Sequence, residues 1–227
     1  MNKEHIAMQD IITIDGPAGS GKSTVARLLA KKINYLYLDT GAMYRAVALA
    51  ASKKRINLKD GKKLGELCKS IDLHFEIYED PPRLLLDKKD ISLAIRSPKM
   101  DMLSSIISGV KEVRESMVDL QRKIAKGVQI VAEGRDMGTV VFPKAKNKFY
   151  LSASPNVRTE RRYKERLGRG ESISKAVVDA ELKKRDHQDE TRSIAPLRPA
   201  KKAKIIDSTT LTPEEVVEEI ICHLKEK

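Results

Sequence analysis

Residues 16–23 read Gly-Pro-Ala-Gly-Ser-Gly-Lys-Ser, a complete G-x-x-x-x-G-K-[ST] sequence. Glycines at these positions let the backbone turn sharply and aim several N–H groups into one concavity, where a phosphate can sit. A helix beginning at the end of the loop adds its positive dipole end. Gly16, Pro17, Ala18, Gly19, Ser20, Gly21, Lys22, Ser23 and Thr24 are therefore the expected ATP-binding residues. Lys22 would reach the β- and γ-phosphates, and Ser23 would offer its hydroxyl to Mg²⁺. Other polar clusters follow short apolar runs: Asp39-Thr40-Gly41-Ala42-Met43-Tyr44-Arg45 and Glu133-Gly134-Arg135-Asp136. Farther on, Arg158, Arg161, Arg162 and Arg169 recur at spacings that helical turns bring together. Arginine suits planar, bidentate contact with phosphate. Arg185, Asp189 and Arg192 are spaced i, i+4, i+7 and share one face of a helix that extends that far.

The residues alone leave alternatives open. Thr40 is equally a helix N-cap, and Arg45 an exposed helix arginine. Arg135 and Asp136 are a possible ion pair with each other, and the charged stretch 158–192 a possible solvated helix pair. The alternative reading of that stretch is a flap carrying arginines over the phosphate loop, with Gly168 and Gly170 as hinges.

These residues need elements to position them. Ile11-Ile12-Thr13-Ile14 before the loop is a buried-strand pattern, and residues 21–33 carry helical periodicity. Further strands are expected at 35–38, 128–131, 149–151 and 204–207, alternating with helices at 41–54, 98–126, from 155, and from 213. The fold class is α/β: a parallel, doubly wound sheet flanked by helices. Ligands on such sheets bind beyond the carboxyl ends of the strands, where all three polar clusters fall. Residues 72–78 alternate polar and apolar, and Arg83–Ser92 is expected to hold a strand pair turning at Lys88-Lys89-Asp90. About residues 70–95 thus form a small antiparallel insert.

At 227 residues, 41% apolar and 33% charged, the chain has the size and composition of one globular domain. The formal charge of +12 raises nucleic acid as a partner, but no Trp and three Phe leave little to stack on bases. Cys68 and Cys222 lie far apart and read as reduced thiols of a cytosolic protein. Met1–Asp10 is polar and carries no signal-peptide pattern, and no apolar run approaches a membrane span. Three function classes follow: a small-molecule kinase, an ATP-driven nucleic-acid binder, and an ATP-sensing scaffold without catalysis.

Ile14-Asp15-Gly16-Pro17 with the loop, the run Leu38–Arg45, and Glu133-Gly134-Arg135-Asp136-Met137-Gly138-Thr139 through Pro143 together resemble the bacterial cytidylate kinases, which are nucleoside monophosphate kinases. Lys184-Arg185-Asp186 through Leu197 and Asp207-Ser208-Thr209 match as well. Glu133 stands where many relatives carry Asp. The resemblance implies one P-loop kinase domain over residues 1–227, an NMP-binding insert at about 65–97 and a helical lid at about 154–170. It implies transfer of a phosphoryl group from ATP, as co-substrate, to CMP and dCMP with Mg²⁺. It further implies a cytoplasmic monomer that acts on free nucleotides, with neither nucleic-acid nor membrane partners. By position, Thr40, Tyr44, Arg45, Arg96, Ser105, Arg114, Asp136, Arg185, Asp189 and Arg192 would bind CMP. Lys22, Arg135, Asp136 and the lid arginines Arg158 and Arg162 form the expected catalytic set.

Overall fold

The structure is a computed structural model that describes residues 11–76 and 82–225. The N-terminal decapeptide and the part of the alternating 72–78 segment beyond Glu76 lie outside the described residues, as does Pro81. Ile11–Asp15 forms strand β1, and all five of its residues are buried. Lys22–Ile33 is helix α1, Leu36–Asp39 strand β2, and Thr40–Lys53 helix α2. Gly61–Ser70 is α3, and the small sheet comprises β3 (Leu73–Glu76), β4 (Arg83–Leu86) and β5 (Lys89–Asp90). Pro98–Ile107 is α4 and Lys111–Ile124 is α5. Strand β6 (Ile130–Gly134) runs into a π-helical turn at Met137–Val141, and β7 spans Asn147–Ser152. The chain continues with α6 (Pro155–Gly168), α7 (Lys175–Thr191), β8 (Lys204–Asp207) and α8 (Pro213–Lys225).

The five long strands lie in the order β2-β6-β1-β7-β8, and every pairing is parallel. β1 is central, so the phosphate loop leaves the middle of the sheet with Gly134 alongside Asp15 in register. Pleating sorts the side chains of β1 to two faces. Ile12 and Ile14 pack with Val25, Leu29, Phe149, Val217 and Ile220 beneath α1 and α8. Ile11 belongs to the opposite core, with the alanine-rich α2, Met43, Ile107, Met117 and Ile130. The small residues of α2 allow nearly the whole helix to be buried.

Several expectations shift by short distances. The stretch 98–126 is two helices, parted at Ser108–Val110. In the antiparallel sheet the turn falls on Asp87-Lys88, whose positive φ angles of 49° and 64° make the reversal, so Lys89 and Asp90 are strand. Asp39, not Thr40, caps α2: its carboxylate accepts the Ala42 N–H at 2.8 Å. Arg192 lies just beyond the end of α7 and shares the cleft with Arg185 and Asp189 from there.

Candidate functional site

The loop takes its shape from close approaches that only glycine allows. Gly16 has φ 156°, and a Cβ there would stand 2.1 Å from the carbonyl oxygen of Leu151. A Cβ on Gly19 (φ 75°) would come within 2.9 Å of the Arg158 carbonyl oxygen. The loop is thus wedged between β7 and α6, and Ala18 packs with Val178 and Leu182 of α7. Beyond it opens a cleft of about 500 Å³ that runs from the loop to the start of α2, α4, the β6 end and the facing sides of α6 and α7.

At the loop, the Lys22 ammonium donates to the Pro17 carbonyl at 3.0 Å. Burial, then the nearby Arg135, lower its pKa to about 7. Ser23 donates to Glu133 Oε2 at 2.9 Å, and Tyr37 donates to Oε1 of the same carboxylate at 2.8 Å. The Thr40 hydroxyl donates to the Glu133 backbone carbonyl at 2.6 Å. Among the described residues no group of three His, Cys, Asp or Glu side chains could hold a metal alone. A hydroxyl and a carboxylate beside a phosphate loop are instead the hard oxygen donors that suit Mg²⁺ shared with nucleotide phosphates. Glu133 belongs to the strand itself, and these two hydroxyls hold both oxygens of its carboxylate.

The opposite end of the cleft is a set of interlocked ion pairs. Asp39 accepts from Arg45 at 3.1 Å and Arg96 at 3.0 Å. Burial raises its carboxyl pKa, but the two guanidinium groups outweigh it and hold the net value low. Asp136 pairs with Arg114, and Arg192 stands 3.8 Å from its second oxygen. Here burial prevails and pushes the carboxyl up. Arg135 donates to Asp189 at 2.8 Å, and Ser105 faces the same carboxylate at 3.5 Å. Arg114 also lies over the Tyr44 ring, 5.8 Å from its centre. Arg135 and Asp136 are therefore not paired with each other, and Arg45 is buried rather than exposed.

Of the expected residues, Ala18 through Thr24, Thr40, Tyr44, Arg45, Arg96, Ser105, Arg114, Arg135, Asp136, Arg162, Arg185, Asp189 and Arg192 all line this cleft. Gly16, Pro17 and Arg158 do not. The Arg158 guanidinium is taken up by the Ala18 carbonyl at 3.1 Å, the Ala153 carbonyl at 3.2 Å and the Asp186 carboxylate, which fastens α6 and α7 to the phosphate loop. Arg161 lines the cleft and donates to Ser208 Oγ at 2.9 Å. Asp101 was not anticipated from sequence, where it passes for an acidic residue in a helix first turn. Its signal is the polar stripe Asp101, Ser104, Ser105, Ser108, spaced i, i+3, i+4, i+7 along α4 and its C-cap, every member of which lines the cleft.

A phosphate loop on the central strand of a parallel sheet, facing a cleft of arginines and carboxylates, defines a P-loop protein of the nucleoside monophosphate kinase fold. Residues 12–226 match the sequence model of the cytidylate kinases, and the chain belongs to that family. It is 45% identical over 217 residues to a cytidylate kinase of Citrifermentans bemidjiense, covering 96% of this chain and 93% of that one. It is 40% identical over 217 residues to a cytidylate kinase of Vibrio cholerae, covering 96% of each. A solved structure of an uncharacterised protein from Eubacterium ventriosum shares the fold, with TM-score 0.55 and 15% identity over 96% of this chain and 99% of that one.

Proposed function

We propose that the protein transfers the γ-phosphoryl group of ATP to CMP and dCMP, with Mg²⁺, in a direct in-line displacement. The observation that carries this reading is one continuous cleft with two unlike ends. One end is the phosphate loop; the other holds buried polar atoms that have no hydrogen-bond partner in the protein, namely Tyr44 Oη, Arg45 Nε, Arg185 Nε and Arg192 Nη2. Buried polar atoms call for a partner, and in this reading the nucleotide supplies it to those beside the cleft.

In this reading Gly16–Thr24 hold the ATP phosphates, Lys22 neutralises charge on the transferring group, and Ser23 with Glu133 would hold Mg²⁺, directly or through water. The metal would supply positive charge to offset that of the phosphates. Arg45, Arg96, Arg135 and Arg185 receive the acceptor phosphate, and Arg162 covers the site from α6. An anionic phosphate oxygen of CMP attacks the γ-phosphorus while the bond to the β-bridging oxygen breaks, so ADP leaves. No side chain needs to act as a strong base, because the attacking oxygen carries no proton to remove. Asp136 accepts from the cytosine N4 amino group, Arg114 donates to N3 or O2, and Asp189 accepts from a ribose hydroxyl while Arg135 and Arg185 steady it. Uracil presents O4 and N3–H instead, so both base contacts turn repulsive.

Arg158 enters as a residue that shapes the loop rather than one that meets substrate, given its pairing with Asp186, the loop carbonyl of Ala18 and the carbonyl of Ala153 before α6. The small sheet β3–β5 is the NMP-binding insert and α6 the lid. The enzyme acts as a monomer on free nucleotides in the cytoplasm. Among the described residues no helix is long and apolar enough to cross a membrane. The deciding experiment is a coupled ADP-release assay with ATP and Mg²⁺ against CMP, dCMP, UMP, AMP and GMP. Turnover confined to the cytosine nucleotides is expected, and equal rates on UMP would overturn the assignment.

A further inference from the structure

Asp101 stands in the first turn of α4, and three arginines from three different elements meet it. Arg162 of α6 pairs with it directly, Arg45 of α2 lies at 3.6 Å, and Arg185 of α7 at 3.8 Å. The carboxylate is only 16% exposed, as is the Arg162 side chain. No other carboxylate among the described residues joins α6 to both α2 and α7. At the C-cap of α6, Arg169 reaches the Arg96 carbonyl at 2.9 Å, so this element touches the cleft wall a second time.

Three guanidinium groups drawn to one place repel one another. In a partly buried setting that repulsion is poorly screened. A carboxylate at their meeting point is what lets them stay together, and its fixed seat on a capped helix sets where they gather. Ser97 accepts the Met100 N–H at 3.3 Å and Pro98 opens the first turn, so Asp101 sits on a well-anchored helix start. Arg162 is divided between Asp101 and its own helix neighbour Glu165 at 2.6 Å. Without Asp101, Arg162 would keep only Glu165, an exposed carboxylate on its own helix that does not tie it to Arg45 or Arg185.

Building on the CMP kinase reading, we propose that Asp101 is a positioning residue for phosphoryl transfer. It gathers Arg162 to Arg45 and Arg185, so that all three guanidinium groups stand together on the cleft. It acts through these arginines and need not touch the nucleotide. Pre-positioned charge of this kind lowers the barrier more than it tightens substrate binding.

The test compares wild type, Asp101→Asn, Asp101→Glu, Arg162→Gln and the double variant Asp101→Asn/Arg162→Gln. Asp101→Asn is expected to lower kcat for CMP by about 10-fold or more while KM changes less than about 3-fold. Asp101→Glu, which keeps the charge, should recover most of that loss. The double variant should lose less than the product of the two single losses, because Asp101 and Arg162 act as a pair while Asp101 still holds Arg45 and Arg185 in Arg162→Gln. Losses that multiply, an unchanged kcat in folded Asp101→Asn, or an Asp101→Glu as impaired as Asp101→Asn would each overturn the proposal. Hydrogen exchange over residues 155–168 gives a readout without turnover: protection of α6 should fall in Asp101→Asn and stay at wild-type level in Asp101→Glu. Unchanged α6 protection in Asp101→Asn would also overturn it. Wild-type protein that phosphorylates no cytosine nucleotide would instead sink the functional reading, and the exchange comparison would still decide the gathering role.

Discussion

Replacing Asp136 by Asn keeps the shape of the side chain and removes its charge, and two separate losses should follow. Asp136 is 2% exposed and Arg114 3% exposed, and the two form an ion pair. Breaking one partner of a buried pair leaves the other charge without compensation, at a cost of about 3–5 kcal/mol. Burial already pushes the Asp136 carboxyl up, so part of the favourable pairing was offset in the wild type. The lower end, about 3 kcal/mol, is the better expectation. In a chain of this length that lowers Tm by about 6–12 °C. The second loss is in the choice of base. A hydrogen bond from the cytosine N4 amino group to a carboxylate contributes about 1.5–3 kcal/mol, or about 10- to 100-fold in kcat/KM for CMP. For UMP the repulsion between the carboxylate and O4 disappears, so its kcat/KM should rise. A wild-type preference of about 10⁴ should therefore shrink by about 10² or more. The assay is kcat/KM for both nucleotides, run well below the variant's Tm. A CMP/UMP ratio unchanged from wild type would refute the base-reading role, and an unchanged Tm would refute the energetic importance of the Arg114 pair.

Lys22→Ala should leave the chain folded and cut kcat by on the order of 10² or more, since it removes charge neutralisation from the transition state; an undiminished kcat would remove the lysine from the chemistry. Gly16→Ala must move either the loop or β7, because the new Cβ would stand 2.1 Å from the Leu151 carbonyl oxygen. A stability loss of at least about 2 kcal/mol in urea melts is expected, and a loss below about 0.5 kcal/mol would show that the loop gives way freely. Asp15 provides a pH test. Its two oxygens accept from the Met137 and Gly138 N–H groups at 2.8 Å each, and burial raises its pKa from 3.8 to about 7. The folded state therefore holds this proton more tightly than the unfolded state. The stability this contributes is present below the unfolded pKa and lost as pH rises through about 7. Relative to Asp15→Asn, wild type should lose about 4 kcal/mol between pH 4 and pH 8, and a difference that stays flat or grows with pH would contradict the assignment.

The parallel sheet was legible because its strands are short apolar runs, β-branched in β1, β6 and β8 and built on Leu, Tyr and Phe in β2 and β7, and the phosphate loop because its glycines answer a backbone demand that few other residues can meet. The clusters after β2 and β6 were legible because polar residues at strand ends have a single natural destination in such a fold. Pairing within the cleft was not legible. Whether Arg135 finds Asp136 or Asp189 depends on the direction the backbone takes at residue 135, which nothing local encodes, and the structure chooses Asp189. Arg158 and Arg162 share an arginine-rich stretch and lie one turn apart on the same side of α6, yet one anchors the loop and the other lines the cleft. Asp101 was hidden by its position, since an acidic residue in a first turn is expected on any helix. Thr40 misleads for a related reason: its neighbour Asp39 is an equally good cap, and Thr40 is left to hold the carbonyl of Glu133.

The unpartnered polar atoms of Tyr44, Arg45, Arg185 and Arg192 also bear on how long the protein survives in a cell. Each is a polar atom withdrawn from water that has no hydrogen bond within the fold, and on the proposed reading each weakens the folded state until a phosphate or a base satisfies it. A ligand that binds only the folded chain then acts as part of its scaffold. At a concentration 100 times its Kd it adds about 2.7 kcal/mol, a large share of the total stability of an ordinary domain. The folded population would therefore follow the nucleotide supply: starvation for nucleotides would expose the chain to proteases, and recovery would protect it, without any dedicated regulator.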